Sequence, residues 1–126
     1  MALELVLDAS VSLAWFLKET PDRATYAAAV SAAAAEGAVL HVPVQWGIEV
    51  GYVLPREHRR KLLSRAKLQR ALEDLESFDV RTHMQGYDAL YFDLASTLAL
   101  PLATLDDGHR QAAAQFGVKL FLPPPA

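Results

Sequence analysis

Short apolar runs, among them "ELVL" at 4–7, "AVLHVP" at 38–43 and "LATL" at 102–105, are separated by stretches whose apolar residues recur at helical spacing. This alternation is the strongest constraint on the fold. A strand that is apolar throughout is buried on both faces, and strands joined by helices run parallel. The pattern therefore predicts α/β: a three-layer α/β/α sandwich around a central, mainly parallel sheet. No internal repeat or long linker divides the chain, so residues 1–126 are expected to form a single domain.

Local signals fill in the elements. Ser10 is a candidate cap for a first helix running to about Leu17. "TPDRATYAAAVSAAAAEG" has proline near its start and Gly37 at its end, a complete helix signature. A helix from about Val44 to Leu54 follows, with Trp46, Val50, Val53 and Leu54 on one side and Pro55 as its interruption. Ser64 can cap "SRAKLQRALEDLES", whose expected apolar stripe is Leu68, Leu72 and Leu75. "FDVR" reads as a strand, "YDALYFDLASTLAL" as a helix and "PLATLD" as a strand ending on Asp106. "GHRQAAAQFG" is a final helix and "VKLFL" a final strand.

Composition narrows the function classes. The chain has no cysteine, which removes disulfides and zinc–thiolate sites. No uninterrupted apolar run reaches the roughly 18 residues of a membrane span, and the start lacks a basic, cleavable leader. A cytoplasmic protein with no membrane partner is expected. Net charge is −3, yet seven of the twelve Lys and Arg residues fall in "REHRRKLLSRAKLQR", from Arg56 to Arg70. The remainder is distinctly acidic.

Four acids stand where open α/β sheets gather function, at the carboxyl ends of strands and the starts of helices. Asp8 follows an apolar strand and Asp106 closes another; Glu49 lies one turn into a helix between Ile48 and Val50; Asp88 opens the "YDAL" helix. Each has a local alternative: Asp8 as a helix cap, Asp88 as a partner of a helix dipole, Asp106 in a turn with Asp107 and Gly108. Glu49 has no evident local task. Clustered carboxylates repel unless a cation joins them, and an all-oxygen set selects Mg²⁺ or Mn²⁺ over zinc. His41, His58, His83 and His109 share no ligand spacing and read as ordinary residues, with His109 nearest Asp106. Asp93 reads as surface charge.

In "VLDASVSLAWFL", "HVPVQWGIEV" and "YDALYFDLASTLALPLATLDDG" the chain resembles the PIN domain family, in particular VapC-type toxins of toxin–antitoxin pairs. The likeness spans nearly the whole chain, and its most specific part is the interval of 18 from Asp88 to Asp106. It implies a metal-dependent ribonuclease in which Asp8, Glu49, Asp88 and Asp106 hold Mg²⁺ or Mn²⁺ and RNA is the substrate. It also implies Ser10 ordering the first aspartate, a homodimer, and an antitoxin protein as partner. Asp107 is a candidate support for the acids. Arg59, Arg60 and Lys61 lead the basic residues expected to hold phosphates that are not cut.

Two features depart from the family pattern. Gly51-Tyr52 replaces an Asn-like position, and only 39 positions (49 to 88) separate Glu49 from Asp88. The fold is thus expected to lack one helix before the Asp88 segment, leaving one wall of the groove open. The competing expectation is a PIN-like RNA- or partner-binding module that has lost catalysis. A phosphoacceptor receiver domain fits poorly, because Asp8-Ala9-Ser10 supplies no acidic pair and no lysine follows "LATLD" before Lys119.

Overall fold

A computed structural model describes residues 3–83, 90–115 and 117–124. In chain order the elements are β1 (Glu4–Leu7), α1 (Ala9–Ala14), α2 (Pro21–Ala35), β2 (Val39–Pro43), α3 (Val44–Arg59), α4 (Arg65–Ser77), β3 (Asp79–His83), α5 (Leu90–Leu98), β4 (Leu102–Ala103) and α6 (Asp107–Gln115). The sheet order is β3-β2-β1-β4 and every pairing is parallel. Helices flank the sheet, giving the expected three-layer α/β/α sandwich. Because the chain steps outward from β1 to β3 and returns to the far side of β1 for β4, the topological switch falls between β1 and β4. A crevice at the carboxyl ends of those two strands is the consequence.

The strands hold the centre because they are apolar on both faces. Leu5, Val6 and Leu7 of β1, Leu40 and Val42 of β2, and Leu102 of β4 are each fully buried. Burial on this scale contributes about 1.5–3 kcal/mol per large side chain. Two indoles pin the helical layer without leaving a buried donor unpaired. Trp46 of α3 donates to Ser12 Oγ of α1 at 2.9 Å, and Trp15, just past α1, donates to the Ala27 carbonyl of α2 at 2.7 Å. Gly37 ends α2 in the left-handed region at φ 100°, with the Ala38 amide reaching back to the Ala33 carbonyl.

Several boundaries differ from the sequence reading. α3 continues through Pro55 to Arg59: Leu54 is 1% exposed and His58 Nδ1 lies 2.9 Å from the Leu63 carbonyl, so tertiary packing offsets the hydrogen bond that proline forfeits. On α4 the buried residue is Ala71, while Leu72 is half exposed. β4 is shorter than "PLATLD" implies, and Asp106 stands three residues past it in a loop. "VKLFL" contributes one parallel bridge, Leu120 to Leu102, rather than a full strand. α1 stops at Ala14 with turns beyond, and Asp8, not Ser10, occupies its N-cap position. Residues 84–89, which alone separate β3 from α5, lie outside the described residues and include Asp88. Among the described residues no helix is long and apolar enough to cross a membrane.

Candidate functional site

Asp8 is the first residue past β1 and is 3% exposed. It holds the N-cap position of α1, yet its side chain caps no amide of that helix. Its Oδ2 instead accepts from two hydroxyls, Ser10 Oγ at 2.7 Å and Thr104 Oγ1 at 2.6 Å. Those hydroxyls are oriented from behind. The Leu105 amide donates to Ser10 Oγ at 3.0 Å and the Asp106 amide to Thr104 Oγ1 at 3.1 Å. An amide can only donate, so each hydroxyl's single hydrogen is free to point at Asp8. Two chains, amide to hydroxyl to carboxylate, converge on one oxygen.

The loop that supplies them, 104–106, is clamped on its other side. Arg23 donates to the Leu105 carbonyl at 2.7 Å and Arg110 to the Thr104 carbonyl at 2.9 Å. Arg110 also lies over the Tyr26 ring, 4.5 Å from its centre, and Tyr26 donates to the Phe121 carbonyl at 2.7 Å. The two arginines nearest the loop therefore hold backbone and leave Asp8 without a salt bridge to Lys or Arg. The cationic candidate beside it is His109, whose buried Nδ1 lies 3.5 Å from Asp8 Oδ2 but makes no hydrogen bond. Its ring is wedged edge-on against Phe92, with centres 5.3 Å apart.

Glu57 shows what an ordinary buried acid looks like in this chain. It is 7% exposed, and both Arg56 at 3.0 Å and Arg60 at 3.7 Å meet its carboxylate. Asp8 is buried more deeply and has hydroxyls where Glu57 has guanidinium groups. Burying a carboxylate costs several kcal/mol, so its partners decide whether it belongs to the fold or awaits a cation.

The other acids are placed unequally. Asp106 Oδ1 accepts the His109 amide at 2.8 Å, capping α6. A side chain at Gly108 would come within 3.1 Å of that oxygen, so glycine there leaves the cap its room. Glu49 has a local task after all. Its Oε1 accepts from Gln45 at 3.1 Å and from the Tyr91 hydroxyl at 3.3 Å. Tyr91 in turn takes the Ala9 amide at 3.4 Å, which links Glu49 on α3 to the residue after Asp8. Burial, reinforced by the charges of Asp8 and Glu49, raises the Tyr91 hydroxyl well above the usual phenol range, so it stays a donor.

Among the described residues no three Asp, Glu or His side chains gather as ligands of one ion. Asp8 and Asp106 meet through Thr104, Glu49 connects through Tyr91, and Asp88 lies outside the described residues. Ser10 stands against Asp8 as the resemblance implies. Asp107 is exposed on the first turn of α6, where it complements the helix dipole and does not touch the acids. Arg59, Arg60 and Lys61 are exposed at the end of α3, about 15 Å along the helix from Glu49. Thr104 and Tyr91 are site residues that the sequence did not single out, while His109, noted for its nearness to Asp106, brings its imidazole beside Asp8.

The fold and this crevice define a class: a doubly wound parallel α/β domain with carboxylates at its switch point. The comparisons reach the fold alone. No family model and no curated protein matches the chain. Among solved structures it is similar to PAE2754 from Pyrobaculum aerophilum, with a TM-score of 0.57 and 24% identity over 85% of this chain and 77% of that one.

The Tyr91 hydroxyl gives a pH prediction. Its raised pKa means that the folded state keeps a proton which the unfolded chain releases, so its contribution is complete below the ordinary tyrosine value and is lost as pH climbs past about 10. Urea unfolding near pH 8 and above about pH 10 should show wild type losing more stability than Tyr91→Phe. An equal loss in both proteins would place the Tyr91 proton outside the linkage.

Proposed function

We propose that this chain is a metal-dependent endoribonuclease of the PIN-domain, VapC-like kind, hydrolysing RNA phosphodiester bonds as the toxin of a cytoplasmic toxin–antitoxin pair. One observation carries the reading. Asp8 is the buried acid at the switch point, aimed by two oriented hydroxyls and left without Lys or Arg, whereas Glu57 elsewhere in the same chain is fully paired. Asp8, Glu49, Asp88 and Asp106 would hold Mg²⁺ or Mn²⁺, an oxygen donor set suited to such hard cations. When bound, the cation supplies Lewis acidity to a phosphodiester.

The chain's own groups do the rest. Ser10 and Thr104 fix the Asp8 rotamer, Tyr91 restrains Glu49 by donating to it, and the Asp106 cap sets the start of α6 beside them. Arg59, Arg60 and Lys61 offer phosphate contacts farther along the strand. A second reading, a PIN-like module that binds RNA or a partner without cutting, is favoured by the short passage from β3 to α5, which leaves only residues 84–89 between them.

Cleavage of several RNAs with excess Mn²⁺, by wild type and by Asp8→Asn, separates the two. The nuclease reading expects cutting that EDTA abolishes and that falls at least about 100-fold in the variant, the scale of a lost charge-stabilising group. Equal, negligible cutting by both proteins alongside retained RNA or partner binding assigns the chain to the non-catalytic module.

The homodimer belongs to the same reading. Val44, Ile48 and Tyr52, spaced four residues apart on α3, are 40%, 68% and 60% exposed, and Gly47 and Gly51 between them have open space at their Cβ positions. An exposed helical glycine costs about 1 kcal/mol against alanine, and close approach of a second helix gives that cost a purpose. Sedimentation at tens of micromolar, roughly the range for a modest interface, should show a dimer that Ile48→Glu dissociates. A wild-type monomer under those conditions removes the homodimer from the account.

A further inference from the structure

A hydrogen-bonded chain of titratable groups runs diagonally across the sheet, outside the crevice. Glu4 Oε1 on β1 lies 2.8 Å from His41 Nε2 on β2, and His41 Nδ1 lies 2.8 Å from His83 Nε2 on β3. His41 is 7% exposed, while His83 is half buried at the carboxyl end of its strand. With both imidazoles uncharged, the polarity of this chain is fixed. A carboxylate only accepts, so His41 Nε2 carries the hydrogen. Neutral His41 then accepts at Nδ1, and His83 donates from Nε2. The outer nitrogen, His83 Nδ1, is left as an acceptor.

Adding one proton reverses that outer nitrogen whichever group ends with the charge. The proton can stay on His83 Nδ1. Alternatively it enters there while the Nε2 hydrogen of His83 passes to His41 Nδ1, and the His41 Nε2 hydrogen can pass on to Glu4. In all three arrangements His83 Nδ1 bears a hydrogen and donates.

Strand register brings the backbone of His83 to the same edge of the sheet as the candidate site. Val6 pairs with His41, so extending the register past β1 brings Asp8 level with Pro43, which pairs with His83. Two strand spacings, about 10 Å, then separate the backbones of Asp8 and His83 along one sheet edge. Among the described residues other charges lie nearby, and Arg81 also feels the Glu4 carboxylate. Arg81 is bound by Asp79 on its own strand at 3.1 and 3.2 Å. On α5, which packs on β1 and β2, Asp93 is exposed and Tyr91 serves Glu49; on α3 the charges other than Glu49 lie beyond Pro55.

We propose that Glu4, His41 and His83 form a proton relay that makes His83 Nδ1 a pH-gated contact for an RNA phosphate at the edge of the Asp8 crevice. The proposal rests on the nuclease or RNA-binding reading for its ligand, though not for the relay. Burial holds His83 below the ordinary imidazole range, and any charge on His41 pushes the same way. The contact is therefore off at neutral pH and switches on in mild acid, when Nδ1 gains the hydrogen that a phosphate oxygen accepts.

Two measurements on the full chain test it. Nitrogen-15 NMR of the wild type should find both imidazoles with hydrogen on Nε2 at neutral pH, and His83 Nδ1 protonating on acidification with a midpoint that Glu4→Gln lowers. Binding of a single-stranded RNA in EDTA, which prevents metal-dependent cutting, should tighten about three- to fivefold from pH 7.5 to about pH 5.5, the scale of one exposed charge pair. His83→Gln should lose that part of the pH response. The opposite His83 tautomer at neutral pH overturns the relay. An RNA affinity whose pH response is the same in His83→Gln overturns the phosphate contact and leaves the nuclease reading standing. No RNA binding at either pH overturns both.

Discussion

The fold closes around the carboxylate of Asp8. β1 is fully buried from Leu5 to Leu7, and its end delivers this side chain into the gap opened where the sheet reverses its direction of growth. The hydroxyls that meet it come from both sides of that gap: Ser10 from the turn into α1 and Thr104 from the loop after β4. These two hydroxyls therefore join β1 to the β4 loop and aim the acid. Arg23 and Arg110 hold the loop by its carbonyls, so the amides of Leu105 and Asp106 remain directed at the hydroxyls. Replacing either arginine disturbs the acid at one remove, through backbone.

The wider site is organised by Tyr91. Its hydroxyl touches the amide after Asp8 and the carboxylate of Glu49, and so couples α5, α1 and α3. α5 is short, but Tyr91, Phe92, Leu94 and Ala95 are all buried, which anchors the helix that follows the Asp88 segment. His109 packs against the same helix through Phe92, and its unbonded Nδ1 faces Asp8.

The layered fold was legible because apolar strands and capped helices are local patterns. Pro21 and Gly37 mark α2, and β1 and β2, apolar but for Glu4 and His41, read as interior strands. Asp8, Glu49 and Asp106 were legible as acids at element ends, and Ser10 through the resemblance. What escaped was non-local. Thr104 carries no signal of its own; it matters because β4 lies beside β1. The partners of Glu49 come from one turn back on its own helix and from α5. Pro55 reads as a break, yet the burial of Leu54 and Glu57 carries α3 through it. His41 and His83 share no sequence spacing and meet because β2 and β3 are neighbours in register.

On the proposed nuclease reading, the burial of Asp8 is an electrostatic cost carried for a cation rather than a contribution to the fold. Unfolding free energy of wild type and Asp8→Asn, each measured in EDTA and in excess Mn²⁺, tests it most directly. The account expects the variant to equal or exceed the wild type in EDTA, because a neutral amide avoids the desolvation of a carboxylate. Mn²⁺ should then raise the wild type and leave the variant unmoved. If Asp8→Asn instead loses more than about 1 kcal/mol in EDTA, the value of a typical structural hydrogen bond, and Mn²⁺ stabilises neither protein, Asp8 is a latch between β1 and the β4 loop and the claim is wrong.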